Sequence, residues 1–271
     1  MTSNFGLSLK EKFFDYLAET KLEVDFFEIH AENYTDQNSA NYDKLVNISK
    51  DYPISIHSVG LSLGSTDQLD QQHLQKIKSL KENLKAKLVS DHLSWVSFNG
   101  NYFHDLLPLP YTKEVLALVS DKIKFIQDYL GCQFIIENPS LYLRYNFNEY
   151  SETDFLNQLC DNTGCGLILD INNIAVCAHN LNFKADDYLK AIPGKFVKEI
   201  HLAQAEYFKD YQLYVDSHLG VPTAETLALC KSYLQANTEL KTNILFEWDT
   251  NVPELKEYYQ SAQQVKKELS C

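Results

Sequence analysis

The chain has 271 residues, 45% of them hydrophobic and 13% aromatic, so it is long enough to bury one large core. Its formal net charge of −13 opposes binding to a phosphate backbone, which excludes nucleic acid as an expected partner. No stretch approaches the roughly 18 apolar residues of a membrane span. The N-terminus lacks the basic region and apolar run of a secretory signal, so neither membrane nor export is expected.

Cysteine usage indicates the compartment. No two cysteines form a CxxC pair, which argues against a zinc–cysteine site or a disulfide scaffold. Reduced thiols in the cytoplasm are expected instead, with the terminal Cys271 as the most exposed. The cysteines are Cys132, Cys160, Cys165, Cys177, Cys230 and Cys271.

A short apolar run, a polar loop and an amphipathic helix recur along the chain. Eight strands alternating with helices predict a parallel sheet, and their number favours a single (β/α)8 TIM barrel over residues 1–271. An open doubly wound sheet is the alternative, but no glycine-rich turn follows the first strand. The predicted strands are Phe5–Leu9, Val24–Ile29, Ile54–His57, Leu88–His92, Phe134–Glu137, Leu167–Asp170, Val197–Leu202 and Ile244–Trp248. Predicted helices include Glu11–Thr20, His73–Lys87, Lys113–Leu130, Thr153–Cys160, Thr223–Ala236 and Pro253–Leu269.

Each of six successive predicted strands carries a side chain able to bind a metal at its last or next-to-last residue. These side chains are His57, His92, Glu137, Asp170, His201 and Glu247. The carboxyl ends of barrel strands converge on one mouth, where long loops normally carry function. Asp216 and His218 follow in the loop after strand seven and offer two further ligands.

Each of these residues alone is more often a hydrogen-bonded rim residue or half of an ion pair. As a set they favour metal binding, because three carboxylates that converge in a barrel mouth would repel one another and be poorly solvated. One or more cations would remove that difficulty. The pattern therefore predicts a metal centre at the C-terminal face of the barrel.

The ligand types restrict the metal. Imidazole and carboxylate without thiolate suit iron, manganese or zinc. The donors exceed what one ion needs, and with bridging carboxylates they suffice for two or three. Glu137, in the middle of the set, is the candidate bridge.

Other polar residues are expected around the pocket or in hydrogen bonds to the ligands, with purely structural roles equally open. They are Glu28, Glu32, Asn33, Asp91, Asn138 and Asn172. Of the remaining histidines, His73 is expected at the surface, and His30, His104 and His179 in loops.

An ordered set of motifs resembles the multinuclear non-haem iron-dependent oxidative enzymes. This family was formerly a domain of unknown function, and it includes the methanobactin-biosynthesis oxidase and the 3-thiaglutamate-pathway enzyme. The resemblance runs from about Phe5 to Asp249 and implies a xylose isomerase-like barrel. The motifs are Phe27–Tyr34 (FEIHAENY), His57–Gly64 (HSVGLSLG), Ser90–Trp95 (SDHLSW), Leu106–Pro110 (LLPLP), Ile136–Asn138 (IEN), Leu169–Asn173 (LDINN), Ile200–Ala203 (IHLA) and Glu247–Asp249 (EWD).

The resemblance implies three iron sites. His57, His92 and Glu137 would hold one iron. Glu137 would bridge to a second, which is bound by Asp170, His201 and Glu247. A third, weaker site would lie around Asn173, Asp216 and His218. The layout is similar to the trinuclear zinc site of endonuclease IV, where a histidine matches Asn173 and is the better zinc ligand.

The activity that the resemblance implies is oxidation, with O2, of a cysteine in a ribosomally made precursor peptide. The resemblance implies two or three irons per chain in a mixed Fe(II)/Fe(III) state, with zinc or manganese as alternative occupants of the site. A partner protein that binds the leader peptide is also implied. One departure is Gln204-Ala205, where the family usually has Gly-His. An endonuclease IV-like phosphodiesterase, a sugar isomerase or epimerase, and a non-catalytic metal-binding module are the alternatives.

Overall fold

The computed structural model describes residues 3–269, so Cys271 lies outside the described residues. The strands are β1 (Asn4–Ser8), β2 (Phe26–His30), β3 (Ile54–Ser58), β4 (Val89–His92), β5 (Trp95–Phe98), β6 (Asn101–Leu107), β7 (Phe134–Glu137), β8 (Gly166–Asp170), β9 (Val197–Leu202), β10 (Glu206–Phe208), β11 (Leu213–Val215) and β12 (Asn243–Phe246). The α-helices are α1 (Phe14–Glu19), α2 (Ala40–Ile48), α3 (Gln71–Leu84), α4 (Lys113–Leu130), α5 (Glu152–Thr163), α6 (Ile171–Asn180), α7 (Ala185–Ala191), α8 (Ala224–Ala236) and α9 (Leu255–Leu269). Short 3-10 turns occupy Glu11–Phe13, Ala31–Tyr34 and Gly194–Phe196.

Eight parallel strands close into a barrel in the order β1-β12-β9-β8-β7-β4-β3-β2. The predicted (β/α)8 barrel is thereby confirmed. Every residue of β3 and of β8 is buried, as expected for parallel strands covered on both faces. Within the described residues, no helix is both long and apolar enough to cross a membrane.

Local signals in the sequence set the helix boundaries. The Asp70 carboxylate accepts hydrogen bonds from the backbone N–H groups of Gln72 and His73, which caps the N-terminus of α3. Thr112 caps α4 in the same manner, and Gly131 ends that helix in the left-handed conformation at a φ of 65°. The Asp70 cap explains why α3 begins at Gln71, two residues before its predicted start at His73.

Two of the long connections contain hairpins that the sequence analysis left as loops. Strands β5 and β6 pair after β4, and β10 and β11 pair after β9. Both hairpins stand on the mouth side of the barrel, because they follow the carboxyl ends of barrel strands. The second strand begins at Phe26 rather than Val24, and just before it the Asp25 carboxylate accepts the Phe5 backbone N–H at 2.7 Å.

A single hydroxyl group joins the first and last strands where the barrel closes. The Tyr258 hydroxyl, from α9, accepts the Ser8 backbone N–H at 3.2 Å, contacts Ser8 Oγ at 2.9 Å and donates to the Phe246 carbonyl. Ser8 ends β1 and Phe246 ends β12, and these two strands pair in parallel. Tyr258 is fully buried, so each of these bonds lies out of water.

We expect Tyr258→Phe to lower the free energy of unfolding by about 1–3 kcal/mol, because it leaves buried polar groups without a partner. Tyr259→Phe, in the half-buried neighbour on the same helix, is the matched control and should change stability by less than about 0.5 kcal/mol. Urea denaturation of both variants measures the difference. Equal effects would contradict the role of the hydroxyl in closing the barrel.

Candidate metal centre

The pairing register of the barrel brings the polar strand ends to one level. His92 on β4 lies beside Glu137 on β7, and Asp170 on β8 lies beside His201 on β9. His57 on β3 pairs with Ser90 on β4, two residues before His92. The mouth of the barrel therefore brings together side chains from five different strands that are far apart in the sequence.

Glu137 stands at the centre of this group. Its Oε2 atom lies 3.1 Å from His57 Nε2, 3.6 Å from His92 Nε2 and 3.8 Å from His201 Nδ1. Ligands that each lie about 2.1 Å from one metal are separated by roughly 3.0–3.5 Å. The spacing of these donors thus suits a shared cation.

A second group of donors adjoins the first. Glu247 Oε2 lies 3.3 Å from His201 Nδ1 and 3.6 Å from His218 Nδ1. His218 Nε2 lies 2.9 Å from Asp216 Oδ1. Donor atoms of Asp170, His218 and Glu247 all fall within 4.8 Å of one another, as do those of Glu137, Asp170 and His201. Carboxylates shared between groups are what a multinuclear site requires.

Several buried oxygens of the cluster have no hydrogen-bond partner. They are Glu137 Oε2, Asp170 Oδ2, Asn173 Oδ1 and Glu247 Oε2. A buried polar atom left without a partner costs about 1–3 kcal/mol, and more when it is charged. Four such atoms in one place fit a set of metal ligands, so the residues present are suited to hold cations.

Burial dominates the protonation of the carboxyl groups. It raises the pKa of Glu137 well above its ordinary value, and the nearby Asp170 adds to the rise although His201 opposes it. Burial and the neighbouring Asp216 raise the pKa of Asp170 to about 7. Without a cation, protons must neutralise these groups.

The histidines divide into two kinds. Burial and the adjacent imidazoles hold the pKa of His57 well below its usual range and lower that of His92 to about 4. Both rings are therefore neutral near pH 7, which is the form that binds metals. Burial also lowers the pKa of His201 and of His218, but the carboxylates around them outweigh it, so both pKa values are raised well above normal.

Hydrogen bonds orient the proposed ligands. His57 Nδ1 contacts Ser90 Oγ at 2.8 Å. The Asp170 carboxylate caps α6 by accepting the Asn173 backbone N–H. The side-chain amide of Asn138 accepts the Asp170 backbone N–H and donates to the Asp170 backbone carbonyl. The Asn172 amide donates to Asp216 Oδ1 at 2.8 Å. Such contacts fix the direction of each ligand.

Two buried glutamates lie beneath His201. His201 Nε2 is 3.2 Å from Glu199 Oε1 and 3.5 Å from Glu28 Oε1, while Nδ1 faces the proposed metal ligands. Glu28 was expected near the pocket, but the sequence analysis missed Glu199. The available signal was its i, i+2 spacing from His201, which places both side chains on one face of β9.

Other expected residues take distinct places. Asp91 is buried and accepts the backbone N–H groups of Leu61 and His92. Glu32 accepts from Ser58 Oγ at 2.7 Å and lies 3.1 Å from His73 Nε2. The expectation of a surface His73 was therefore wrong, because the ring is half-buried against this carboxylate.

Asn33 was expected either near the pocket or in a structural hydrogen bond. Its side chain is exposed. Asn33 follows Glu32 in the 3-10 turn Ala31–Tyr34, and the rotation of about 120° per residue in such a turn directs the two side chains apart.

Asp249 joins the site from the other side. Asp249 Oδ2 lies 3.3 Å from His218 Nδ1 and 4.0 Å from His30 Nε2, and its other oxygen pairs with Lys10. His218 itself has a φ of 46°, an uncommon conformation for a residue other than glycine. The sequence analysis had placed Asp249 in a motif only, without a role.

A cavity of about 220 Å³ opens above the cluster. This is the space of about seven water molecules and is smaller than a drug-sized pocket. It therefore admits one short side chain rather than a large ligand. Its walls are His30, His57, His92, Leu106, Glu137, Asp216, Ser217, His218, Glu247 and Asp249.

We expect Glu137→Gln to remove at least one metal per chain after anaerobic reconstitution, because the amide replaces the charged oxygen that faces three imidazoles. Elemental analysis measures the ratio of metal to protein. Glu149→Gln, in the exposed part of the same β7–α5 connection, is the control and should keep the full content. Unchanged metal in Glu137→Gln would remove Glu137 from the ligand set.

We expect Glu199→Gln to weaken metal binding by about 10–100-fold, because the carboxylate that bonds the far nitrogen of His201 is lost. Competition against a chelator measures the affinity. The exposed Glu206 on β10 provides the control substitution Glu206→Gln, which should leave the affinity unchanged. Equal affinities for all three proteins would show that Glu199 has no influence on the centre.

Comparison with known proteins places this site in a family. A UPF0276 protein of Acaryochloris marina is 40% identical over 260 residues, which cover 96% of this chain and 92% of that protein. A UPF0276 protein of Psychromonas ingrahamii is 38% identical over 253 residues, covering 92% and 88%. A xylose isomerase domain containing protein from Salmonella typhimurium shares the fold, with a TM-score of 0.66, 15% identity and coverage of 99% and 98%. The model of the RiPP (ribosomally synthesised and post-translationally modified peptide) precursor modification enzyme MbnB/TglH/ChrH matches residues 4–270. The resemblance stated from the motifs is thus confirmed, and the chain belongs to the MbnB/TglH/ChrH family of RiPP precursor modification enzymes.

Proposed function

We propose that the chain is a multinuclear iron-dependent oxidase that uses O2 to oxidise a cysteine residue in a ribosomally synthesised precursor peptide. Membership of a peptide-modifying enzyme family supports the substrate class. The observation that carries the proposal is Glu137 Oε2, a buried oxygen without a hydrogen-bond partner that faces His57, His92 and His201.

The proposed ligand set uses each donor of the mouth. His57, His92 and Glu137 would hold one ion, and Glu137 would bridge to a second that is bound by Asp170, His201 and Glu247. Asn173, Asp216 and His218 would hold a third, so that two or three ions bind per chain. The unpartnered Asn173 Oδ1 supports this third site, and the partial exposure of Asp216 and His218 favours weaker binding there.

Iron, when bound, would supply a coordination site for the substrate thiolate and the redox change that reaction with O2 needs, and a mixed-valence Fe(II)/Fe(III) pair would divide these two tasks. Zinc or manganese are the alternative occupants of the same donors. The protein supplies the neutral imidazoles of His57 and His92, fixed carboxylates and a small cavity. Leu106 lines one side of that cavity and would shield a bound thiol from water on that side.

The shape of the mouth favours a peptide. A cavity of about 220 Å³ accepts a cysteine side chain while the peptide main chain remains outside. Phe103, Tyr142 and Tyr207 are exposed on three separate connections at the mouth and offer apolar contacts. Tyr34 and Tyr111, by contrast, are packed in the core and take no part in this rim. A reducing, cytoplasmic setting would keep the substrate thiol free, and a leader-binding partner protein belongs to the same proposal.

We expect the protein, reconstituted anaerobically with Fe(II), to bind two or three irons and to consume O2 only with a cysteine-containing precursor peptide. The peptide to use is the product of a short open reading frame beside the gene. Elemental analysis and Mössbauer spectroscopy measure the iron, and an oxygen electrode measures turnover. A peptide with serine in place of the cysteine is the control.

We expect His92→Ala to abolish O2 consumption and to lower the iron content, since it removes one imidazole facing Glu137. His179→Ala, at an exposed position of α6, is the control and should retain both properties. Full activity of His92→Ala would contradict the proposed ligand set. Zinc-dependent cleavage of an abasic DNA duplex, without O2 consumption on peptides, would favour the phosphodiesterase instead.

A further inference from the structure

A larger cavity of about 660 Å³ lies next to the metal centre. It is bounded by β6, by the N-terminal part of α3 and by the loop that follows β3. Leu106 lines both this cavity and the small cavity above the proposed ligands. A chain whose cysteine enters the small cavity would therefore pass over Leu106 into the larger one.

Strand β6 offers a backbone edge along this path. It pairs with β5 alone, and the register between Trp95 and Ser97 is shifted by a bulge. In residues 3–269 its other edge has no neighbouring strand. Asn101–Asp105 are all exposed, including the aromatic rings of Tyr102 and Phe103. Free strand edges of this kind bind extended peptides by main-chain hydrogen bonds.

The charges around the larger cavity are mostly negative. Glu32, Asp70 and Asp105 line it, and Lys76 is the one lysine among the described lining residues. Burial raises the pKa of Glu32, but hydrogen bonds from His73, Ser58 and the Val59 N–H outweigh it and lower the pKa to about 2. The carboxylate is therefore charged at neutral pH. The formal net charge of the chain, −13, has the same sign.

Resting on the proposed function, we infer that this cavity binds the stretch of the peptide substrate next to the reactive cysteine, and that this stretch carries a lysine or arginine. The acidic lining complements an ammonium or guanidinium group, while β6 binds the main chain. Residues 103–106 of β6 span about 10 Å, so the basic residue lies within about three positions of the cysteine.

Two labelled peptides of 12 residues test this inference. Both carry serine in place of the cysteine, which prevents turnover, and one has lysines and the other glutamates at the three positions on either side. Fluorescence anisotropy with the iron-reconstituted protein near 0.1 M salt measures the affinities. The lysine peptide is expected to bind at least about tenfold more tightly, as several charge pairs of modest individual strength would give.

Charge reversal in the cavity identifies the binding place. Asp105→Lys, at an exposed position of β6, should weaken binding of the lysine peptide by about fivefold, because it replaces an attraction by a repulsion. Asp128→Lys, at an exposed position near the C-terminus of α4, changes the net charge equally and should have no effect. Equal affinity for both peptides, or equal losses in both variants, would overturn the inference.

The outcomes also separate this inference from the proposed function. If no cysteine peptide supports O2 consumption but Asp105→Lys still selectively weakens the lysine peptide, the oxidase proposal fails and the cation-binding cavity stands. If O2 consumption is equally efficient with lysine-flanked and glutamate-flanked cysteine peptides, the oxidase stands and the cavity inference fails.

Discussion

The repulsion among buried carboxylates at the barrel mouth is the constraint on which the rest of the site depends. Glu137, Asp170 and Glu247 are each at most 2% exposed, and their unpartnered oxygens face the same small space. In a medium of low dielectric constant, like charges this close cannot all persist without a counter-charge. The structure meets the requirement with His201 and His218, which these carboxylates hold in the protonated form. A cluster of cations would replace those protons.

Barrel closure is what brings these groups together. Each strand carries one or two of the residues, and the parallel register sets His92 level with Glu137 and Asp170 level with His201. Residues below the mouth then support it, as Glu199 and Glu28 do beneath His201. A rigid barrel with polar side chains on its strand ends holds them more exactly than loops would, which suits residues that could bind metal ions.

The connections at the mouth border the cavities next to the strand ends. The mouth hairpin of β5 and β6 contributes Leu106 to the cavity above the proposed ligands and, on its other side, an exposed strand edge with an acidic cavity. The fold is shared with a xylose isomerase domain containing protein at only 15% identity and therefore does not identify the substrate. The connections at the mouth shape the approach to the candidate metal centre together with the strand ends, as Leu106 and Asp216 do beside His57 and Glu137.

The sequence by itself determined the barrel and the positions of its polar strand ends, because apolar runs bounded by loops reflect burial that is local to each strand. His57, His92, Glu137, Asp170 and His201 could be placed at strand ends for that reason. The role of Glu199, the exposure of Asn33 and the half-buried His73 depend on which neighbours surround each side chain, and distant segments supply those neighbours. Likewise, only the tertiary structure decided that Leu106 lies between two cavities, since the direction in which a hairpin folds over the mouth is fixed by packing against other loops.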